Sequence, residues 1–310
     1  MKLSASRIAP IAVILAGCMW GSVGIFVRYL SNLGYSPLTI VFARMSISFV
    51  ITFAGLLIFN RSLLRIRLKD LWCFVGSGLT SSIALNLFYS MSTVMNSLAL
   101  AAILLATAPI FVILISAPLF KEKITPLKLQ ALVIAFFGCV LTSGIIGSGS
   151  VFSPLGILVG TCAGIGCAMN TLFIRSALNR GYESLTVNVY TFLIGSLSCL
   201  PFTNFVVIAN SFVEVGRLIC LILLLHCLFT SLLPYVFFAF GMKYMDTGKT
   251  AILASSEPIA AAIFGIFLYK EIPGVFSVIG IAIALFALVL LNLPNGWQSL
   301  RLNRPNHQNH

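Results

Sequence analysis

The chain has 310 residues, of which 59% are apolar and only 8% charged, and its formal net charge is +12. A soluble globular domain carries about a quarter charged residues, so this composition excludes a soluble fold. Apolar runs of about 20 residues, long enough to cross a ~30 Å hydrocarbon core as a helix, follow one another along the sequence. The sequence therefore predicts an all-α membrane protein with many spans.

In chain order, the sequence predicts ten transmembrane helices joined by short connections. The spans are 8–29, 37–59, 71–94, 98–120, 126–146, 154–177, 184–203, 217–243, 248–269 and 273–293. A polar tail, 294–310, follows the last span, and we expect it to be disordered and cytoplasmic.

The basic residues are distributed as a topology signal. With the amino terminus in the cytoplasm, 15 of the 19 Lys and Arg residues fall in cytoplasmic segments. Only Arg28, Arg217 and Lys270 fall on the outer side, and Arg44 lies within a span. This ratio fits the positive-inside rule and predicts a multi-pass protein of the cytoplasmic membrane with both termini inside. Nucleic-acid binding is a poor explanation of the positive charge.

The cysteines suggest packing rather than chemistry. All of them fall within predicted spans and none forms a C-x-x-C pair: Cys18, Cys73, Cys139, Cys162, Cys167, Cys199, Cys220 and Cys227. We interpret them as small apolar packing residues. The stretch Leu15–Cys18 resembles a bacterial lipoprotein signal, but the apolar run continues and more spans follow. An ordinary first helix is therefore favoured over lipid processing of Cys18.

A pattern in the fourth span is repeated in the ninth. Ala102–Leu104, Pro109–Ile110, Leu119 and Lys121–Glu122 recur as Ala251–Leu253, Pro258–Ile259, Leu268 and Lys270–Glu271, each offset by 149 residues. The early helices match at an offset of 147, where Phe26–Arg28 pairs with Phe173–Arg175. Such a fixed period indicates duplicated halves, 1–147 and 154–293. Because each half has five spans, an odd number, the sequence predicts two inverted five-helix repeats.

Several short motifs together carry a family resemblance. Met19-Trp20-Gly21 in the first span, Phe42-Ala43-Arg44 in the second and the duplicated Pro-x₁₁-Lys-Glu element, with Glu257-Pro258, resemble the EamA branch of the drug/metabolite transporter superfamily. The resemblance extends over nearly the whole chain. It implies a secondary transporter, in most cases an exporter of amino acids or other small metabolites. It also implies a substrate cavity between the halves, lined mainly by spans 1, 3, 4, 6, 8 and 9.

Glu257 is the clearest candidate for a functional side chain. It lies eight residues past Lys249, or about 12 Å along a helix, and therefore near mid-membrane. A carboxylate there is costly unless it is protonated, paired or in contact with water, which makes it a candidate for proton coupling. The alternative is a structural role, as a partner of Arg44 or as a cap on a broken turn. Pro109 and Pro258 predict helix breaks, since proline removes a backbone donor.

The other candidates line a predicted substrate cavity. Arg44 lies within a span and suits a substrate carboxylate, although a structural, ion-paired Arg44 is the alternative. Polar and aromatic residues at helical spacing complete the set: Trp20, Ser82, Asn86, Tyr89, Asn170, His226, Ser231 and Tyr235. Convergent polar groups and rings suit a medium-sized amphipathic solute. The alternative is that they only hydrogen-bond neighbouring helices.

The two Lys-Glu pairs, Lys121-Glu122 and Lys270-Glu271, end the fourth and ninth spans near the water interface. We expect structural ion pairs or caps, with a further role as gates at the two faces.

Enzymatic signatures are missing from the sequence. Gly248-Lys249-Thr250 resembles the end of a phosphate loop, but Lys243 stands where the required earlier glycine would be. We expect no catalytic residues, no metal and no cofactor, and partners limited to a small-molecule substrate and the lipid bilayer. Two other functions stay open: an intramembrane enzyme acting on a lipid-linked substrate, using Glu257, Arg44 and His226, or a non-catalytic membrane subunit.

Overall fold

A computed structural model describes residues 2–95, 101, 104–142, 153–269 and 274–292. Across these residues all regular secondary structure is helical. Six stretches are long and apolar enough to cross a membrane: Ser6–Asn32, Pro37–Phe59, Leu68–Ser92, Pro154–Asn179, Ser184–Phe202 and Leu218–Tyr244. The protein is therefore a multi-pass helical membrane protein. Shorter apolar helices occupy Ala108–Phe120, Pro126–Leu141, Phe205–Glu214 and Val278–Ala287.

The first half contains α1 (Lys2–Gly21), α2 (Val23–Asn32), α3 (Pro37–Phe59), α4 (Leu71–Leu79), α5 (Leu85–Met95), α6 (Ala108–Phe120) and α7 (Pro126–Thr142). A five-residue π-helical turn, Thr80–Ala84, joins α4 to α5. Helix α3 covers the range predicted for the second span. Its first turn is capped by Ser36, whose hydroxyl accepts a hydrogen bond from the Thr39 amide at 3.2 Å.

The second half contains α8 (Pro154–Asn179), α9 (Ser184–Cys199), α10 (Phe205–Glu214), α11 (Leu218–Cys227), α12 (Leu233–Tyr244), α13 (Thr247–Ala254), α14 (Ser256–Tyr269) and α15 (Val275–Asn292). A second π-helical turn, Leu228–Leu232, joins α11 to α12. Helix α10 lies in a segment that the sequence predicts to be a connection between spans. Asn204 caps it, because its side chain accepts from the amides of Val206 at 3.1 Å and Val207 at 3.3 Å.

Three predicted spans contain a local irregularity, although each is one apolar stretch long enough to cross a membrane. The first is interrupted at Ser22, whose hydroxyl donates to the Met19 carbonyl at 2.6 Å and so competes with the helical ladder. The third and eighth each contain a π-helical turn, which inserts one extra residue into the hydrogen-bond ladder. The two turns overlap at the repeat offset, since Ser82 in one corresponds to Ser231 in the other.

The two halves interlock rather than lie side by side. Helix α1 packs against α12 and α14, α3 against α9, α5 against α8, and α7 against α15. Every one of these pairs joins a first-half helix to a second-half helix. The main apolar core is shared between the halves accordingly, and includes Val13, Phe74, Ile174, Phe238 and Ile252.

The connections 60–70, 121–125, 180–183 and 245–246 meet at one end of the bundle, which we name the basic end. Asp70, 4% exposed, organises part of it. Its carboxylate accepts from Arg67 Nε and Arg180 Nε, both at 3.1 Å, and from the Tyr182 hydroxyl at 2.8 Å. Lys128 Nζ lies 2.9 Å from Asp246 Oδ1 and links the other two connections.

The segments 33–36 and 203–217 meet at the opposite end. The Tyr35 hydroxyl lies 2.7 Å from Ser211 Oγ, and the Asn204 amide donates to Thr39 Oγ1 at 3.1 Å. Gly34-Tyr35 and Gly181-Tyr182 are offset by 147 residues, and both glycines have positive φ, 81° and 87°. The Gly34-Tyr35 turn lies at the opposite end, whereas the Gly181-Tyr182 turn lies at the basic end.

We expect Asp70→Asn to lower the midpoint of thermal unfolding by several degrees, since the amide loses the charge that two guanidinium groups contact. The control is Glu183→Gln, which breaks the exposed pair between Lys243 Nζ and Glu183 Oε2, 2.7 Å apart. Exposed pairs contribute roughly 0–1 kcal/mol, so this control should change the midpoint little. Equal midpoints for the two variants in detergent would contradict the role given to Asp70.

Candidate functional site

Two helix interruptions lie in the middle of the bundle, at equivalent positions of the repeat. A turn at Ala106 and Thr107 precedes α6, in which Pro109 occupies the first turn. Ser255 separates α13 from α14, in which Pro258 also occupies the first turn. Irregular backbone at membrane depth is tolerated where it is buried in protein or lines a polar cavity. The two breaks therefore mark the region in which a polar site can exist.

Glu257 is the second residue of α14, directly after one of these breaks. A helix amino terminus favours a nearby negative charge. The side chain is half-buried. Across the described residues it forms no hydrogen bond or salt bridge, although Arg44 and Tyr89 lie within electrostatic range.

Arg44 projects from α3 and is only 8% exposed. Its charge acts on Glu257, Tyr235 and His226, yet no direct salt bridge joins it to Glu257 among the side chains that the structure describes. Arg44 Nε has no hydrogen-bond partner in that part of the chain. The alternative in which the two charges neutralise each other by direct contact is therefore not the arrangement observed.

His226 and Ser231 add two more buried polar groups, both 0% exposed. His226 Nδ1 lies 3.2 Å from Thr230 Oγ1, and its ring packs against Phe26 at a tilt of 39°, with 5.1 Å between the ring centroids. Within the described residues, neither His226 Nε2 nor Ser231 Oγ has a partner. A buried polar group left unsatisfied costs about 1–3 kcal/mol, so three in one region indicate a place for a ligand or ordered water.

An aromatic cluster forms one side of this region. Trp20 contacts Tyr235 edge-to-face at 5.6 Å between ring centroids and Phe238 at 5.3 Å. Tyr235 in turn contacts Phe192 at 5.4 Å. Aromatic pairs of this geometry are rigid and apolar, so they provide a fixed wall beside the charged groups.

Other predicted cavity residues are engaged in helix packing. Ser82 Oγ donates to the Gly78 carbonyl and contacts Ser198 Oγ, both at 2.7 Å, and Asn86 Nδ2 donates to the Ser81 carbonyl at 2.7 Å. Asn170 Oδ1 accepts from Ser77 Oγ at 3.0 Å. Their hydrogen bonds join neighbouring turns and helices, as the structural alternative predicts. Tyr89, in contrast, is half-buried and lies near Glu257.

The polar region is asymmetric with respect to the repeat. At one contact between the two halves, the Ser77 and Thr191 hydroxyls form a direct hydrogen bond of 2.8 Å. Their repeat equivalents, at the other contact between the halves, are His226, at an offset of 149, and Arg44, at an offset of 147. The first contact pairs its two hydroxyls, whereas the second carries two larger groups with unused hydrogen-bonding atoms.

Glycines bring α1 close to the break beside Glu257. A Cβ atom at Gly17 would lie 2.0 Å from Ser256 Oγ, and one at Gly21 would lie 2.7 Å from Ala260 Cβ. Ser256 Oγ also donates to the Ile14 carbonyl at 3.1 Å. Small residues of this kind allow helix backbones to approach closely in membranes. The sequence predicts a role for Glu257 but carries no signal for this contact.

A bundle of membrane-spanning helices in two related halves, with charges held in its interior, fits a membrane transporter. The chain belongs to the EamA-like transporter family, whose model matches it twice, at residues 7–144 and 154–293. The family domain is thus present in duplicate.

Several known proteins are similar to this chain. Two transporters of Archaeoglobus fulgidus, both described as uncharacterized, are 24% identical over 91% of this chain and 97% of the relative, and 26% identical over 92% and 96%. The uncharacterized transporter YxxF of Bacillus subtilis is 24% identical over 60% of this chain and 58% of its own. A crystal structure with 18% identity has a TM-score of 0.76 over 96% of this chain and 99% of the other, and so has the same fold.

Gly21→Ala should impair both stability and transport, because the new methyl group must displace the backbone around Glu257 and Ala260. Overpacking of this kind typically costs about 1–3 kcal/mol. The matched control is Gly24→Ala, since a Cβ at Gly24 would meet nothing within 4 Å. Thermal unfolding and flux should be measured for both variants. Equal results for Gly21→Ala and Gly24→Ala would contradict the close approach of α1.

Proposed function

We propose that this protein is a secondary transporter that moves a small amphipathic metabolite across the cytoplasmic membrane by alternating access. The solute carries a carboxylate, as an amino acid does, and its transport is coupled to protons through Glu257. Export is the direction that the family resemblance implies. The residues 1–147 and 154–293 form the two five-helix repeats, and 294–310 forms a cytoplasmic tail.

The observation that carries this proposal is the presence of two opposite charges inside the bundle that do not contact each other. Arg44 and Glu257 act on one another electrostatically without a direct salt bridge among the described side chains. Unused polar atoms on Arg44 and Ser231 provide donors for a carboxylate. Glu257 provides an acceptor for a proton or an ammonium group, and the Trp20–Tyr235 contact supplies an apolar wall.

The ends of the bundle support ten spans in an inverted repeat. The Tyr35 hydroxyl contacts Ser211 at the opposite end, whereas its repeat equivalent Tyr182 contacts Asp70 at the basic end. Thr39 and its equivalent Thr186 are separated in the same way, because Thr186 Oγ1 donates to the Leu63 carbonyl. Equivalent residues at opposite ends are what an odd number of spans per repeat produces. The excess of Lys and Arg orients the basic end towards the cytoplasm.

Glu257→Gln should abolish the pH dependence of transport in proteoliposomes, or abolish transport, while folding is retained, since the amide keeps the shape but cannot exchange a proton. The control is Glu214→Gln, which alters an exposed carboxylate at the end of α10. Flux that keeps its pH dependence in Glu257→Gln would remove this residue from the mechanism.

The solute class can be tested with purified protein. Amino acids at about 100 times their Kd should stabilise the folded state by about 2.7 kcal/mol, which a thermal-shift assay detects. Arg44→Gln should weaken binding of amino acids by about tenfold or more, but change little for amines that lack the carboxylate. Equal losses for the two ligand sets would contradict a carboxylate site at Arg44.

A further inference from the structure

Glu122 makes an unusual set of contacts at the basic end. This residue follows α6, whose last turn is closed by Lys121 in a left-handed conformation, φ 55°. The Glu122 carboxylate accepts from the Thr247 amide at 2.9 Å, the Thr247 hydroxyl at 2.6 Å and the Gly248 amide at 3.4 Å. Its side chain is only 9% exposed. Glu122 of the first half therefore binds the amino terminus of α13 in the second half.

Charged groups from other helices reinforce this contact. Arg175 of α8 lies 3.8 Å from Glu122 Oε1 and also donates to the carbonyls of Met242 and Met245. Lys128 of α7 pairs with Asp246 at 2.9 Å, and Asp246 caps α13 by accepting from the Lys249 amide at 2.8 Å. Charge-assisted hydrogen bonds are about twice as strong as neutral ones, so α13 is held firmly at this end.

The other end of α13 leads to the candidate site. Helix α13 has eight residues, or about 12 Å, and ends at the break at Ser255, two residues before Glu257. On its way it packs tightly on α6, since a Cβ at Gly248 would lie 3.0 Å from Ile113 Cγ1. A short helix bound at one end and interrupted at the other can swing as a unit when the bound end is released.

We infer that Glu122 is the residue that keeps the path between the basic end and the candidate site closed, by binding the amino terminus of α13. This inference rests on the alternating-access mechanism proposed above. Release of Glu122 lets α13 move about the break at Ser255 and opens the site to the basic end.

The repeat offsets extend the inference to the other face. Glu122 and Arg175 correspond to Glu271 and Arg28, so the sequence keeps the same pair of charges for the opposite end. Glu271 lies outside the described residues. Lys128 and Asp246 correspond to Ser277 and Ser97, which cannot form an ion pair. In sequence, the basic end therefore has one ion-pairing position that its counterpart lacks, and we expect closure at the basic end to be the resting state.

The test uses Cys167, a half-buried cysteine of α8 near Glu257, kept as the single cysteine of the chain. Membrane vesicles of each orientation are treated with a membrane-impermeant thiol reagent, without solute. A separate Ser62→Cys variant identifies the side that the basic end faces, because Ser62 is exposed there. In Glu122→Gln, labelling of Cys167 from that side should be about tenfold faster than in the parent, equivalent to about 1.4 kcal/mol.

The matched control is Glu183→Gln, which breaks an ion pair at the same end but within the second half, and it should leave the labelling rate unchanged. Lys128→Ser introduces the residue found at the equivalent position of the opposite end, Ser277, and should also accelerate labelling. This variant takes the place of Glu122→Gln in the test if Glu122→Gln does not fold. Unchanged labelling in a folded Glu122→Gln or Lys128→Ser would overturn the inference. That outcome is separate from failure of the proposed function, which is judged by solute binding and flux in the parent protein.

Discussion

The structure depends on how it holds two opposite charges inside an apolar bundle. A guanidinium and a carboxylate are each costly at membrane depth, and direct contact would be the simplest way to offset that cost. Arg44 and Glu257 are instead kept apart, within reach of each other's field. Their separation leaves the hydrogen-bonding capacity of both groups available. A solute with its own pair of opposite charges would complete the arrangement.

Irregular backbone is concentrated around this pair. The breaks before α6 and α14 and the two π-helical turns all fall in the middle of their spans. Each exposes backbone or shifts side chains out of the regular helical register, which a lipid-facing helix does not tolerate. The close approach of α1, made possible by Gly17 and Gly21, then encloses the break beside Glu257. The packing of small residues and the polar interior thus depend on each other.

Sequence patterns predicted the parts of this structure that depend on composition and period. Charges within apolar runs stand out, so Arg44 and Glu257 could be found without coordinates. The π-helical turns could not, because an extra residue in the ladder is decided by contacts between helices, such as that of Ser82 with Ser198. Whether Arg44 and Glu257 are in contact depends on how each helix is rotated about its own axis. The periodicity of the sequence does not define that rotation closely enough. The duplicated Gly-Tyr turns were visible in the sequence, at the offset of 147 already noted, but their positions at opposite ends required the structure.

The differences between the two repeats follow a physical logic. The charged residues that meet at the basic end have charged equivalents in the other copy, as Glu122 has Glu271 and Arg175 has Arg28. The residues of the candidate site do not, since Glu257, Arg44 and His226 correspond to Ala108, Thr191 and Ser77. Closing and opening two faces requires similar devices at both. A solute with a carboxylate at one end and an amine at the other has no two-fold symmetry. A site with the symmetry of the repeat would present the same groups to both ends of that solute, and so would suit only one of them. Divergence at the centre, with similarity at the ends, is the arrangement that the proposed transport of one asymmetric solute requires.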